Sequence, residues 1–211
     1  MRSCAWGRWS RFGSVLALAL AGCATPPTVA RPEIIAPAAW GSKPDAFPAS
    51  ARHTPVRITV HHAGVLWHEG DDPFQKIRTL QAWGKREHGW PDVPYHFLIA
   101  PDGRIFGGRS LEFAGDTNTE YDPHGHALVE LWGNFEVQRV SLPQLRAAVQ
   151  LMAWLCAERN LAPSTIAGHR DWSKKTVCPG KDLQRYIAGG QLRRWVTETL
   201  RGKTPMVTLL P

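Results

Sequence analysis

Residues 56–63, VRITVHHA, are rich in β-branched side chains and predict a strand that closes on two histidines, His61 and His62. In DPFQKIRTLQAWGKREHG (72–89), Phe74, Ile77, Leu80 and Trp83 recur at near-helical spacing, and Gly89 supplies a stop. YHFLIAPDGRIFGGR (95–109) is two apolar runs joined by Pro-Asp-Gly, a hairpin signal. HALVELWGN (126–134) predicts a further strand. SLPQLRAAVQLMAWLCAERN (141–160) predicts a helix with Ser141 as N-cap and a stripe of Leu145, Val149, Met152 and Cys156. STIAGH (164–169) is a short strand running into a polar loop, and helical segments near 180–188 and 190–201 complete the pattern. Strands interleaved with helices predict an α/β domain, a single central mixed sheet flanked by helices.

The ends of the chain do not share this pattern. Arg2, Arg8 and Arg11 precede the apolar run VLALALAGC, which ends at Cys23 and is too short to span a membrane. Residues 1–22 are therefore expected to be a signal peptide. LAGC (20–23) resembles a bacterial lipoprotein signal, in which Cys23 would be lipidated and become the first residue. Residues 23–39, rich in Pro and Ala, are expected to form a tether, residues 40–203 the folded domain, and residues 204–211 a C-terminal tail.

Removing the signal takes three arginines and no acids, so the formal net charge falls from +7 to +4. The remaining surface is mildly basic, which suits an anionic polymer but gives no ground for nucleic acid. Only Cys156 and Cys178 then stay as free candidates in an exported domain. A bridge between them is permitted there, although the helical stripe around Cys156 marks it as a small buried hydrophobe. The ten tryptophans could be sugar platforms or core packing.

His61 ends one strand, His169 follows another, and Cys178 lies on the loop after His169. Zinc takes His nitrogen and Cys sulfur, and a catalytic site keeps three protein ligands and one open position. No HExxH or paired CxxC is present, so spacing alone leaves the three residues as candidates.

APAAWG, VHHAG, GWPDVPYHFLIAPDGRIFGGR, ALVELWGNFE and AGHRDW…TVCPGKDL, in this order, resemble the motifs of the zinc N-acetylmuramoyl-L-alanine amidases, a family that includes phage amidase-type lysozymes and animal peptidoglycan recognition proteins. The resemblance covers about residues 38–188. It implies the peptidoglycan recognition protein-like fold, with Zn2+ held by His61, His169 and Cys178. It implies cleavage of the amide between N-acetylmuramic acid and L-alanine in peptidoglycan or muropeptides, or recognition of peptidoglycan without cleavage. Glu130 and Tyr95 match residues that move protons in relatives, and Thr176 matches a position able to bond the oxyanion or scissile carbonyl. For Glu130 the alternative is a solvated strand carboxylate. Arg109, Arg170, Lys174 and Lys175 are candidates for the carboxylates of a stem peptide, since Arg and Lys pair with such groups. Asp171 and His96 are expected to be structural. His124 and His126 depart from the family pattern. With Ala24 after Cys23, the expectation is a monomer anchored by lipid to the outer membrane and facing the periplasm.

Overall fold

A computed structural model describes residues 28–211; the signal segment and Cys23 lie outside the described residues. Among the described residues no helix is long and apolar enough to cross a membrane. The strands are β1 (Ile34–Ile35), β2 (Arg57–His62), β3 (Phe97–Ile99), β4 (Ile105–Gly107), β5 (His126–Leu131) and β6 (Ile166–Gly168), and they form one sheet in the order β1-β4-β3-β5-β2-β6. The β3–β4 hairpin is antiparallel and every other pairing is parallel, so the sheet is mixed, as expected. The helices are α1 (Pro37–Trp40), α2 (Pro73–His88), α3 (Leu142–Arg159), α4 (Lys181–Ala188) and α5 (Gln191–Leu200).

Helix boundaries follow local chemistry. The Asp72 carboxylate accepts from the Phe74 N–H, and the Ser141 hydroxyl from the Gln144 N–H, which satisfies donors that have no intrahelical partner. Gly89 ends α2 in the left-handed conformation (φ 67°). The buried line of α2 is Ile77, Gln81 and Gly84, and Trp83 is turned outward. Gly84 is there for proximity: a Cβ on it would stand 2.8 Å from the Trp90 ring.

Strand alternation divides the core. Ile58 and Val60 of β2, Ala127, Val129 and Leu131 of β5, and Phe97 and Ile99 of β3 pack against α3, α4 and α5. Leu98 and Phe106 point to the other face, where Ile77 of α2, Trp40 and Trp132 complete a smaller cluster. Cys156 is buried among apolar neighbours of the first cluster, and it and Cys178 are both free thiols, so the bridge does not form.

Two boundaries move. The expected tether ends early, because Ile34 and Ile35 pair with Ile105 and Phe106 of β4. The expected tail is docked: Val207 is buried, the Leu210 N–H donates to the Tyr186 hydroxyl, and Arg185 donates to the Pro211 carbonyl at 2.7 Å.

Candidate metal centre

The parallel register brings the ends of three neighbouring strands together. His61 of β2 stands opposite Glu130 of β5, and Val60 stands opposite Gly168, the last residue of β6. His169 follows at once, in a short 3₁₀ turn (His169–Asp171). The chain then loops back, and the Arg170 N–H donates to the Cys178 carbonyl at 2.8 Å. The Asp171 carboxylate accepts from Gly168 N–H and from the Gln184 amide, which is the structural role expected of it.

The three candidate ligands meet. Donor atoms of His61, His169 and Cys178 all lie within 4.8 Å of one another. Cys178 Sγ is 3.6 Å from His61 Nδ1, and the two imidazole rings are 4.6 Å apart. The neighbouring His62 alternates away, where its Nδ1 accepts from the Phe135 N–H. Its own N–H donates to Cys178 Sγ at 3.3 Å.

This donor set fits zinc. Burial lowers His61 well below the ordinary histidine value and His169 to about 4, so both rings are neutral and present lone pairs. Burial pushes the Cys178 thiol up to about 12. Without a cation the sulfur keeps its proton, and a dication would displace it. Two imidazoles and one sulfur that line one cavity would supply the three protein ligands of a catalytic zinc site.

The cavity has a volume of about 280 Å³, and its walls include Tyr95, Thr176, Glu130, Trp83 and Trp90. A groove of about 800 Å³, lined by Trp67, Trp132 and α2, adjoins it and shares Glu130, Leu80 and Trp83. The tryptophans divide: Trp40 and Trp195 are core, while Trp67, Trp83, Trp90 and Trp132 border open space.

Glu130 is 2% exposed, which rejects a solvated strand carboxylate. Burial pushes it up to about 8, against the pull of the Trp132 indole N–H that donates to its Oε2 at 2.9 Å. Tyr95 lies with its ring 5.1 Å from that of His61. Burial, and then the Glu130 charge, raise its phenol well above the ordinary value, so it remains an O–H donor. The Thr176 hydroxyl accepts from the Cys178 N–H at 3.1 Å and shapes the ligand loop.

The four basic candidates fare differently, and none of them lines the cavity. Arg109 is 3% exposed and is a correction. Its guanidinium donates to the carbonyls of Val93, Ala114 and Asp92 and pairs with Asp116. A buried guanidinium needs partners for its donors; these take four of its five N–H groups, and its burial outside the cavity removes it from a substrate's reach. Arg170 is half-buried, and Lys174 and Lys175 are exposed on the segment between His169 and Cys178. His96 supports the hairpin, as expected: its Nδ1 accepts from the Leu128 N–H, and Nε2 bonds the Phe113 carbonyl. His126 bonds the Thr59 hydroxyl at 2.7 Å beneath the site, and His124 pairs with Asp122 on the surface.

Residues 51–181 match the family described as N-acetylmuramoyl-L-alanine amidase. The chain belongs to this family. It is 33% identical over 174 residues to peptidoglycan recognition protein 1 of Mus musculus, covering 81% of this chain and 92% of the relative. Among solved structures, Drosophila peptidoglycan recognition protein SD superposes with a TM-score of 0.64 at 27% identity, covering 74% of this chain and 92% of that one. An N-acetylmuramoyl-L-alanine amidase from Clostridium intestinale shares the fold, with a TM-score of 0.63 at 23% identity over 77% of this chain and 98% of that one.

Sequence reasoning missed two residues at the centre of this amidase-family site. Thr119 Oγ1 lies 2.7 Å from His169 Nε2, and the Tyr121 hydroxyl lies 3.4 Å from His61 Nε2. Both come from DTNTEYDP (116–123), a segment without periodicity. Its density of hydroxyls was the available signal.

Proposed function

We propose that this chain is a zinc-dependent amide hydrolase that cuts between the lactyl group of N-acetylmuramic acid and L-alanine in peptidoglycan or its fragments. The observation that carries the reading is one cavity holding a complete His-His-Cys donor set together with a buried carboxyl group and a phenol. Bound zinc supplies a Lewis acid and activates water at neutral pH.

The side chains supply the rest. Glu130 Oε2 is engaged by Trp132, which leaves Oε1. In the carboxylate form, which a dication bound nearby would favour over the acid that burial favours, Oε1 takes a proton from the attacking water and returns it to the leaving amine. The Tyr95 O–H donates to the oxygen on which charge develops. Thr176, whose hydroxyl oxygen accepts from Cys178, turns its own O–H toward the same oxygen. The aromatic walls, Trp83 and Trp90, exclude water and offer apolar faces to a sugar ring. The match to a relative named as a recognition protein supports peptidoglycan as the ligand. It also supports a second reading, binding without cleavage, which the filled donor set and the buried carboxyl disfavour.

Mass spectrometry of products from purified sacculi tests the reading. The wild-type chain is expected to carry about one zinc and release free stem peptides beginning with L-alanine; Cys178→Ser is expected to lose both metal and product while staying folded. A Cys178→Ser protein with full zinc and full turnover defeats the ligand assignment. Zinc-loaded wild type that binds sacculi and releases nothing favours the binding reading.

For location, the motif LAGC supports lipidation at Cys23 and anchoring to the outer membrane, facing the periplasm. Palmitate labelling is expected to vanish in Cys23→Ala; equal labelling of that variant removes the idea.

A further inference from the structure

The segment from Gly115 to Tyr121 touches both histidine ligands, and Asp116, Thr117 and Thr119 form part of the cavity wall. It is held in place from several directions. A Cβ on Gly115 would stand 2.3 Å from Leu128 and 2.4 Å from the Pro94 carbonyl, so only glycine admits so close an approach. Asp116 is gripped by the buried Arg109 guanidinium, which also takes the Ala114 carbonyl at 2.5 Å. At the far end the Ser173 hydroxyl donates to Glu120 at 2.9 Å. Tyr121 is buried with its ring 4.9 Å from that of His169 and 5.3 Å from that of His126.

So fixed, the segment aims two hydroxyl oxygens at imidazole nitrogens. Thr119 Oγ1 is 2.9 Å from Thr117 Oγ1, which can accept its proton. That leaves a lone pair on Thr119 to accept from His169 Nε2–H at 2.7 Å. The Tyr121 oxygen lies 3.4 Å from His61 Nε2, a longer contact, and because His61 Nδ1 faces the Cys178 sulfur it is Nε2 that carries the proton toward that oxygen. With the proton on Nε2, each ring keeps its lone pair on Nδ1, and for His61 that is the nitrogen 3.6 Å from Cys178 Sγ.

We infer that Thr119 and Tyr121 are positioning residues of the metal centre, setting the tautomer and ring orientation of His169 and His61 through hydrogen bonds from one anchored loop. The inference rests on the zinc reading of the site. It also explains the buried Arg109, which clamps Asp116 and Ala114 and so holds the loop that holds the ligands.

Zinc affinity of the purified chain, measured against a competing chelator, tests the inference, together with the visible spectrum of the cobalt(II)-substituted protein and the thermal midpoint of the zinc-free form. Tyr121→Phe and Thr119→Val keep volume and remove the hydroxyl. Each is expected to weaken zinc by roughly 10–100-fold and to shift the cobalt bands, with the zinc-free midpoint unchanged. Thr119→Ser, which keeps the oxygen, should restore both. If Thr119→Val misfolds, Tyr121→Phe against wild type decides alone. Wild-type affinity and an unshifted cobalt spectrum in the hydroxyl-free variants overturn the inference and leave the zinc reading intact. A wild-type chain that takes up no zinc overturns both.

Discussion

β2 and β5 present Ile58, Val60, Ala127, Val129 and Leu131 to the helices on one face of the sheet, and Thr59, His61, His126 and Glu130 to the other. All nine are buried. On the helical face, burial is satisfied by volume and apolar surface, and many neighbours share each contact. On the opposite face each polar atom needs a particular partner: His126 has Thr59, Glu130 has Trp132, His61 has Tyr121. The same backbone thus carries a tolerant side and an exacting one, and the exacting side faces the cavity.

The sharpest way to break this pairing of faces is chemical. Glu130→Gln is isosteric and should retain zinc, yet lower kcat by roughly 10²–10⁴-fold, as should Tyr95→Phe. Steady-state rates on a muramyl-peptide substrate, with metal content measured in parallel, check it; near-normal kcat in Glu130→Gln would leave Tyr95 to carry the proton chemistry. On the helical face, Leu151→Ala should cost about 2–5 kcal/mol in urea unfolding while zinc per folded chain and kcat stay at wild-type values. A loss of zinc there would show that the two faces are coupled.

A smaller effect comes from His96. Burial lowers it from 6.5 to about 3, and its Nδ1 must stay unprotonated to accept from Leu128 N–H. The unfolded chain binds a proton there below pH 6.5 while the folded chain does not. Stability from this group is therefore complete above pH 6.5 and lost progressively toward pH 3, by roughly 2 kcal/mol at pH 5. His96→Gln keeps an acceptor and a donor without titrating, and should flatten that acid limb in unfolding curves measured between pH 7 and 4. An unchanged limb would assign the acid sensitivity to other groups.

The tolerant face was legible in the sequence, because apolar periodicity and caps are local. The Ser141 cap, the Pro-Asp-Gly hairpin and the Cys156 stripe all stand where the pattern places them. The ligands His61, His169 and Cys178 were legible through motif resemblance, and their convergence needed the register of β2, β5 and β6. Arg109 was misjudged because charge type does not reveal burial. Thr119 and Tyr121 were invisible because their partners are about 50 and 60 residues away in sequence. The two ends were misjudged for another reason. A two-residue strand such as Ile34–Ile35 is too short to leave a period, and Val207 and Leu210 dock singly.

The place of β1 in the sheet has a mechanical side. It is the edge strand farthest from β6, five strand spacings or roughly 24 Å away. Ahead of it the chain is already held on α3, where the Gln150 amide donates to the Ala30 carbonyl at 3.0 Å and the Arg31 guanidinium lies over the Trp154 ring. Tension applied to the N-terminal segment meets these contacts before the two paired residues of β1, a short seam. Behind the seam stands Trp40, 1% exposed, with its indole N–H fastened to the Gly107 carbonyl at 2.7 Å. The α3 contacts, the short seam and the tryptophan act in series, so a pull on the N-terminal segment is spent at the far edge of the sheet before it reaches His169.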